Sequence, residues 1–192
     1  MPRRLVQLVD QQCYHVYNRA NNRSPLFFER RNYFFFLRRY AEVVSTGASR
    51  IHAFCLMPNH YHFLIQVLRA QDFEKQFRTF LISYAKAINA GYDRCGHLFQ
   101  GRFHAELVET DPYFLSASRY IHLNPVAAGL VSKAEDWEFS SYRCFIERRN
   151  VWKNPSGKDL EIETEFTLGM AGGLEGYKRF VDATEGEIPF LW

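Results

Sequence analysis

The sequence predicts an α+β fold: an antiparallel sheet of βαββαβ order with helices on one face, then a further helix and an irregular C-terminal tail. Three observations point there. Short aromatic and β-branched runs alternate with two long stretches of helical periodicity. Two of the short runs, residues 50–56 and 60–67, are joined only by Met57-Pro58-Asn59, which reads as a hairpin link. Beyond the last strand, Thr110-Asp111-Pro112 opens one more helix.

Taken in order, residues 13–19 (CYHVYNR) have the composition of a strand, and residues 20–25 (ANNRSP) that of a polar turn. A helix is expected over residues 29–44, where Tyr33, Leu37, Tyr40, Ala41 and Val44 share one face and Thr46-Gly47 ends it. The hairpin follows. A second helix is expected over residues 72–89, with Phe73, Phe77, Phe80, Leu81, Tyr84 and Ile88 as its buried stripe and Lys75, Arg78 and Lys86 off it. Residues 97–108 (HLFQGRFHAELV) read as a strand interrupted at Gly101. The third helix is expected to run to Asn124, where Pro125 stops it. Regularity then weakens: residues 150–165 are polar and irregular, and a short helix falls within residues 169–183. The first six elements make a ferredoxin-like sheet whose uncovered face can carry a site. Residues 1–145 form the expected domain and residues 146–192 a C-terminal extension.

Composition bounds the function without choosing it. The 192 residues are 47% hydrophobic and 23% charged, enough to bury a core. A net charge of +3 permits nucleic-acid binding but does not demand it. Arginines come in pairs, Arg3-Arg4, Arg30-Arg31, Arg38-Arg39 and Arg148-Arg149, and each pair taken alone reads as solvated surface. Cys13, Cys55, Cys95 and Cys144 lack Cys-x-x-Cys spacing, which argues against a zinc knuckle and for free thiols. No secretory segment or bilayer-spanning apolar run is present, so a cytoplasmic protein with no membrane partner is expected.

Two pairs of residues carry chemistry. His60 and His62 are two apart in a strand, so both imidazoles point to one face while Tyr61, Phe63, Ile65 and Val67 take the other. Two neutral imidazoles so spaced can grip one divalent metal, although a pair of ordinary surface histidines has the same pattern. Tyr120 and Asn124 lie one turn apart on the third helix. A tyrosine there could be a nucleophile and the asparagine oxygen a third ligand; a packing tyrosine and a helix-ending asparagine are the plainer alternative. A phenol with a free pKa of about 10 needs help to attack phosphorus, from a metal or a cation near the phosphate.

The segments CLMPNHYHFLIQV, YHVYNRANNRSPLFF, GHLFQGRF and RYIHLNPVAAGLV together resemble the single-tyrosine HUH transposases, and within them the REP-associated tyrosine transposase branch. The resemblance covers roughly residues 14–142. Tyr61 is aromatic where the family's triplet usually has an aliphatic residue, and Asn124 follows the REP-associated branch, where other members carry Gln.

The resemblance implies that Tyr120 is the nucleophile and that His60, His62 and Asn124 ligate Mg²⁺ or Mn²⁺, the two histidines favouring Mn²⁺. It implies cleavage and rejoining of single-stranded or hairpin DNA through a 5′-phosphotyrosine, in a nucleoid-associated protein. Arg19, Arg23 and Arg102, in or beside the matching motifs, are the expected backbone contacts. Because the ligands must be neutral, activity is expected to fall below about pH 6.5. The alternatives are a rolling-circle replication initiator, a catalytically silent hairpin-binding protein, and a metal hydrolase unrelated to DNA. Monomer and homodimer both remain open.

Overall fold

The computed structural model describes residues 7–183; the Arg3-Arg4 pair lies outside them. The elements run β1 (Gln12–Arg19), α1 (Arg30–Val44), β2 (Ser49–Met57), β3 (His60–Val67), α2 (Ala70–Gly91), β4 (His104–Val108) and α3 (Asp111–Ala127). Shorter pieces follow: α4 (Tyr142–Ile146), β5 (Val151–Trp152), β6 (Leu160–Glu161), α5 (Glu165–Met170) and α6 (Leu174–Asp182). The main sheet has four strands in the order β2-β3-β1-β4, and every neighbouring pair is antiparallel. This is the βαββαβ fold read from the sequence.

Period-two alternation gives the sheet two chemically different faces. Tyr14, Val16, Phe54, Leu56, Tyr61, Phe63 and Ile65 are buried on one face against Phe36, Tyr40, Phe77, Phe80 and Tyr84 of α1 and α2. The rings interlock: Tyr40 and Phe63 have centroids 4.4 Å apart, and Phe36 meets Tyr84 edge-on at 4.8 Å. Each fully buried side chain of this kind contributes roughly 1.5–3 kcal/mol relative to exposure. α1 starts with reciprocal capping by Glu29 and Asn32, whose Oδ1 accepts from the Glu29 N–H at 2.9 Å.

The opposite face is covered in part by α3. Ala53, Cys55, Met57 and Leu64 pack there against Phe114, Ala117, Tyr120 and Ile121. Thr110 caps α3, its side chain accepting from the Tyr113 N–H at 3.4 Å.

Within the first seven elements, two boundaries differ from those expected by more than two residues. The strand begins at His104 rather than at residue 97. Residues 97–103 form a loop that hydrogen-bonds the end of β1, with Asn21 N donating to Leu98 O at 2.8 Å and Gln100 N to Arg19 O at 3.0 Å. Leu98 and Phe103 are buried, so the strand-like composition reflects loop anchoring. Pro125, in turn, does not stop α3, which continues to Ala127. Its ring keeps a helical φ at the cost of one N–H. The stop is Gly129, left-handed at φ +67°, where Gly129 N donates to Val126 O and Leu130 N to Pro125 O, each at 2.9 Å. Asn124 therefore sits inside the helix.

The C-terminal extension has only short elements, yet it shares the main core. Trp152, Leu160, Ile162, Tyr177 and Val181 belong to the same buried cluster as the aromatic face. The chain from residue 139 onward also closes the β2 edge: Leu56 N donates to Phe139 O at 2.9 Å, Ser141 N to Phe54 O at 3.0 Å and Glu163 N to Ile51 O at 2.7 Å. Covering an edge in this way satisfies backbone groups that would otherwise invite another strand. The described cysteines are all free thiols.

Candidate active site on the polar face of the sheet

The alternation that buries Tyr61 and Phe63 beneath α1 and α2 sends His60 and His62 to the α3 side, where their ring centroids are 5.0 Å apart and nearly perpendicular. α3 crosses above them. It brings the Tyr120 ring edge-on to His62, with centroids 5.4 Å apart, and Asn124 one turn further on. Asn124 Nδ2 donates to Tyr120 O at 3.2 Å, which turns Oδ1 toward His60 Nε2 at 3.5 Å. The four residues singled out in the sequence thus come together.

The hydrogen bonds around His60 fix its proton. Nδ1 lies 2.6 Å from Asn59 Oδ1, an acceptor, so Nδ1 carries the hydrogen and donates. Nε2 is left with a lone pair facing the lone pairs of Asn124 Oδ1. Two acceptors opposed in this way want a cation between them, and donors 3.5 Å apart can both reach one ion with bonds of about 2.1 Å. Among the described residues no group of three His, Cys, Asp or Glu could hold a metal, so the candidate donor set is two imidazoles and an amide oxygen. That mixed nitrogen and oxygen set suits Mn²⁺, and Mg²⁺ less readily.

Burial keeps the rings neutral. It holds His62 well below the ordinary histidine value, with further lowering from His15 and His60. Burial also lowers His60; the Asn124 oxygen offsets part of this, and the positive charge of Arg19 adds to it. Neutral imidazoles are the form that ligates a metal.

The structure adds residues that the sequence reading missed. His15 is fully buried beside His62, with Nε2 2.9 Å from His62 Nδ1. Burial lowers the His15 pKa to about 3. Tyr17 donates its hydroxyl to Glu106 Oε1 at 2.7 Å and stacks on His104 with centroids 5.0 Å apart. Alternation in CYHVYNR already sets His15 and Tyr17 on one face. What no local pattern shows is that β1 lies between β3 and β4.

Of the three arginines, Arg19 pairs across strands with His60 and hydrogen-bonds Gln100. Arg23 and Arg102 are exposed in the flanking segments. Those segments meet at the same end of the sheet: Asn18 Nδ2 donates to Gly101 O at 3.1 Å, and Ala20 N to Asn59 O at 2.8 Å. The paired arginines are partly engaged within the protein, as in Arg30 Nε donating to Glu138 at 2.9 Å and Arg39 bridging to Glu42 at 2.6 Å.

The family model described as "Transposase IS200 like" matches residues 8–124, well over half of the chain. The chain belongs to the IS200-like transposase family. The match begins just before β1 and ends at Asn124, so it spans His60, His62, Tyr120 and Asn124 but not the C-terminal extension. A Haemophilus influenzae protein assigned by name to the REP-associated tyrosine transposases is 30% identical over 123 residues, which are 58% of this chain and 69% of that protein. That likeness places the chain in the REP-associated branch of these transposases. A solved structure of a REP-associated tyrosine transposase bound to a REP hairpin superposes with a TM-score of 0.65 at 21% identity, covering 77% of this chain and 87% of that one. At that identity the superposition speaks for the fold. Among the described residues of this IS200-like transposase, no helix is long and apolar enough to cross a membrane.

Proposed function

We propose that this transposase cleaves and rejoins single-stranded DNA at hairpin-flanked sites through a covalent bond to Tyr120, with a divalent ion held by His60, His62 and Asn124. The observation that carries this reading is the opposed pair of lone pairs on His60 Nε2 and Asn124 Oδ1, one turn from a tyrosine ring packed edge-on to His62. When bound, Mn²⁺ or Mg²⁺ would neutralise charge on a non-bridging oxygen of the scissile phosphate.

The protein's own residues supply the rest. α3 carries Tyr120 to the imidazole pair, which limits the approach of its oxygen to phosphorus. That oxygen attacks in line, the bond from phosphorus to the 3′ oxygen breaks, and the phenolic proton is lost as the departing oxygen becomes a 3′-OH. The 5′ end remains as a phosphotyrosine, which conserves the bond energy, so an incoming 3′-OH can reverse the step and join new ends. Arg19, Arg23 and Arg102 would hold the DNA backbone at the His60 end of the sheet, with salt-sensitive affinity. The REP hairpin held by the similar structure suggests the class of DNA.

The test is a labelled single strand carrying a hairpin, incubated with Mn²⁺ and run on a denaturing gel. The wild type is expected to form a covalent adduct, and Tyr120→Phe to bind the same DNA without forming one. An adduct with Tyr120→Phe would remove Tyr120 from the role. A wild type that binds the hairpin but never forms an adduct, with either metal, would favour a silent hairpin-binding protein.

A further inference from the structure

Four side chains on the polar face form a row across three adjacent strands. His62 is on β3, His15 and Tyr17 are on β1, and Glu106 is on β4. Strand pairing aligns them: Tyr17 is opposite His62, and His15 is opposite Glu106. His15 Nε2 approaches His62 Nδ1 at 2.9 Å, His15 Nδ1 lies 4.0 Å from Glu106 Oε2, and the Tyr17 hydroxyl donates to Glu106 Oε1 at 2.7 Å.

Only one proton fits between the two imidazoles. If His15 supplied it from Nε2, His62 would carry its own hydrogen on Nε2 and have no lone pair there for an ion. If His62 supplies it from Nδ1, Nε2 of His62 keeps the lone pair that ligation requires, and the His15 hydrogen moves to Nδ1. Glu106 decides between these. A carboxylate beside His15 Nδ1 favours a hydrogen at that atom and disfavours a lone pair. Tyr17 holds the other carboxylate oxygen and keeps it aimed. We propose that His15, biased by Glu106, is a positioning residue that fixes the His62 proton on Nδ1 and so presents Nε2 as a metal-binding atom.

This inference rests on the metal-site reading given above. It separates the two histidines by how they are oriented. His60 is set locally by Asn59 in the hairpin turn, at 2.6 Å. His62 is set by a relay whose far end is a carboxylate two strands away. Partners that fix a ligand's tautomer in this way typically change metal affinity by about 10–100-fold when removed. His15 is not itself offered as a ligand, because the nitrogen nearest the site is engaged with His62.

The test has one arm without metal. Long-range proton–nitrogen spectra of the metal-free protein at neutral pH report which nitrogen of His62 is protonated. The expected result is Nδ1, and a proton on Nε2 overturns the proposal. In the second arm, Mn²⁺ is titrated calorimetrically into wild type, His15→Ala, His15→Gln and Glu106→Gln, with thermal melts to confirm folding. His15→Ala is expected to weaken Mn²⁺ binding on the order of 10–100-fold. His15→Gln should recover most of this, because its side-chain oxygen accepts the same hydrogen. Glu106 is 43% exposed, so Glu106→Gln should fold; it is expected to leave His62 a mixture of tautomers. Unchanged affinity in a folded His15→Ala, or an unchanged His62 spectrum in Glu106→Gln, refutes the relay. A wild type that binds no Mn²⁺ would instead defeat the metal site, and the metal-free spectrum would still judge the tautomer.

Discussion

The two faces of the four-stranded sheet are made by alternate residues of the same strands, and they differ in almost everything else. Beneath α1 and α2, Tyr14, Phe54, Tyr61, Phe63 and their partners make a continuous aromatic layer without water-facing groups. On the other face, α3 packs over β2 and β3, while the β1 and β4 side carries His15, Tyr17, His104 and Glu106. Burying the imidazoles of His15 and His62 there is costly and is offset by their hydrogen bond. The dry face supplies stability, and the polar face spends some of it on a site.

The strongest way to break that contrast is to cut one residue from each face. Phe63→Ala removes a ring in contact with Tyr40, Phe36 and Phe54, and should cost about 3–5 kcal/mol in urea denaturation. The fraction that remains folded should bind Mn²⁺ as the wild type does. His60→Ala should have the opposite profile: Mn²⁺ binding lost, and stability reduced by about 1 kcal/mol or less. Comparable destabilisation by the two changes would show that the faces do not divide the labour.

Acid sharpens the comparison, because the buried histidines lie on the α3 side of the sheet. Burial lowers His122 to about 3 and His52 to about 4, the latter helped by Arg50 and opposed by a backbone contact at Glu163. Both are neutral in the folded protein while the unfolded chain titrates near its ordinary value of about 6.5. Below that pH the unfolded state binds more protons, so stability is complete above about 6.5 and drains away as pH falls toward the folded values. Each ring contributes at most about 1.4 kcal/mol per pH unit over that window. Unfolding free energies that stay flat from about pH 6.5 to about pH 5 would contradict this. His60 and His62, the proposed metal ligands, shift in the same direction. The acid limb of Mn²⁺ binding should therefore lie below the pH 6.5 that an unperturbed histidine suggests.

Much of this was legible in the sequence, for local reasons. Strand alternation in HYHFLIQV separates His60 and His62 from Tyr61 and Phe63 whatever the sheet does next. The stripe Phe73, Phe77, Phe80, Leu81, Tyr84 and Ile88 is the buried face of α2 as expected. Non-local features were not legible. The relay from His62 to Glu106 depends on which strands are neighbours, and residues 15, 62 and 106 carry no joint local pattern. Residues 97–103 looked like strand because their apolar side chains are buried, although their backbone serves a loop. Pro125 looked like a stop because the left-handed role of Gly129 four residues later outranks it only once the helix has closed.

A further effect concerns α3 itself, and it connects the extension to the site. His122 lies between Tyr120 and Asn124 in sequence but faces away from them, fully buried. Its Nδ1 is 2.7 Å from the Tyr177 hydroxyl of α6, and its Nε2 is 2.8 Å from Ser141 Oγ. The Tyr177 hydroxyl also meets Ser118 Oγ at 2.6 Å, while Ser141 Oγ accepts from Phe54 N at 2.8 Å. One hydroxyl thus ties α6 to two turns of α3, and one imidazole ties α3 to the β2 edge. Tyr177→Phe keeps the ring packed on Phe145 and deletes only that hydroxyl. The expected cost is about 1–3 kcal/mol in urea denaturation, because buried partners lose a hydrogen bond. Since the brace holds the turn that carries Tyr120, adduct formation should slow while Mn²⁺-independent hairpin binding stays constant. A loss of stability with an unchanged rate of adduct formation would mean that the extension supports the fold without governing where Tyr120 sits.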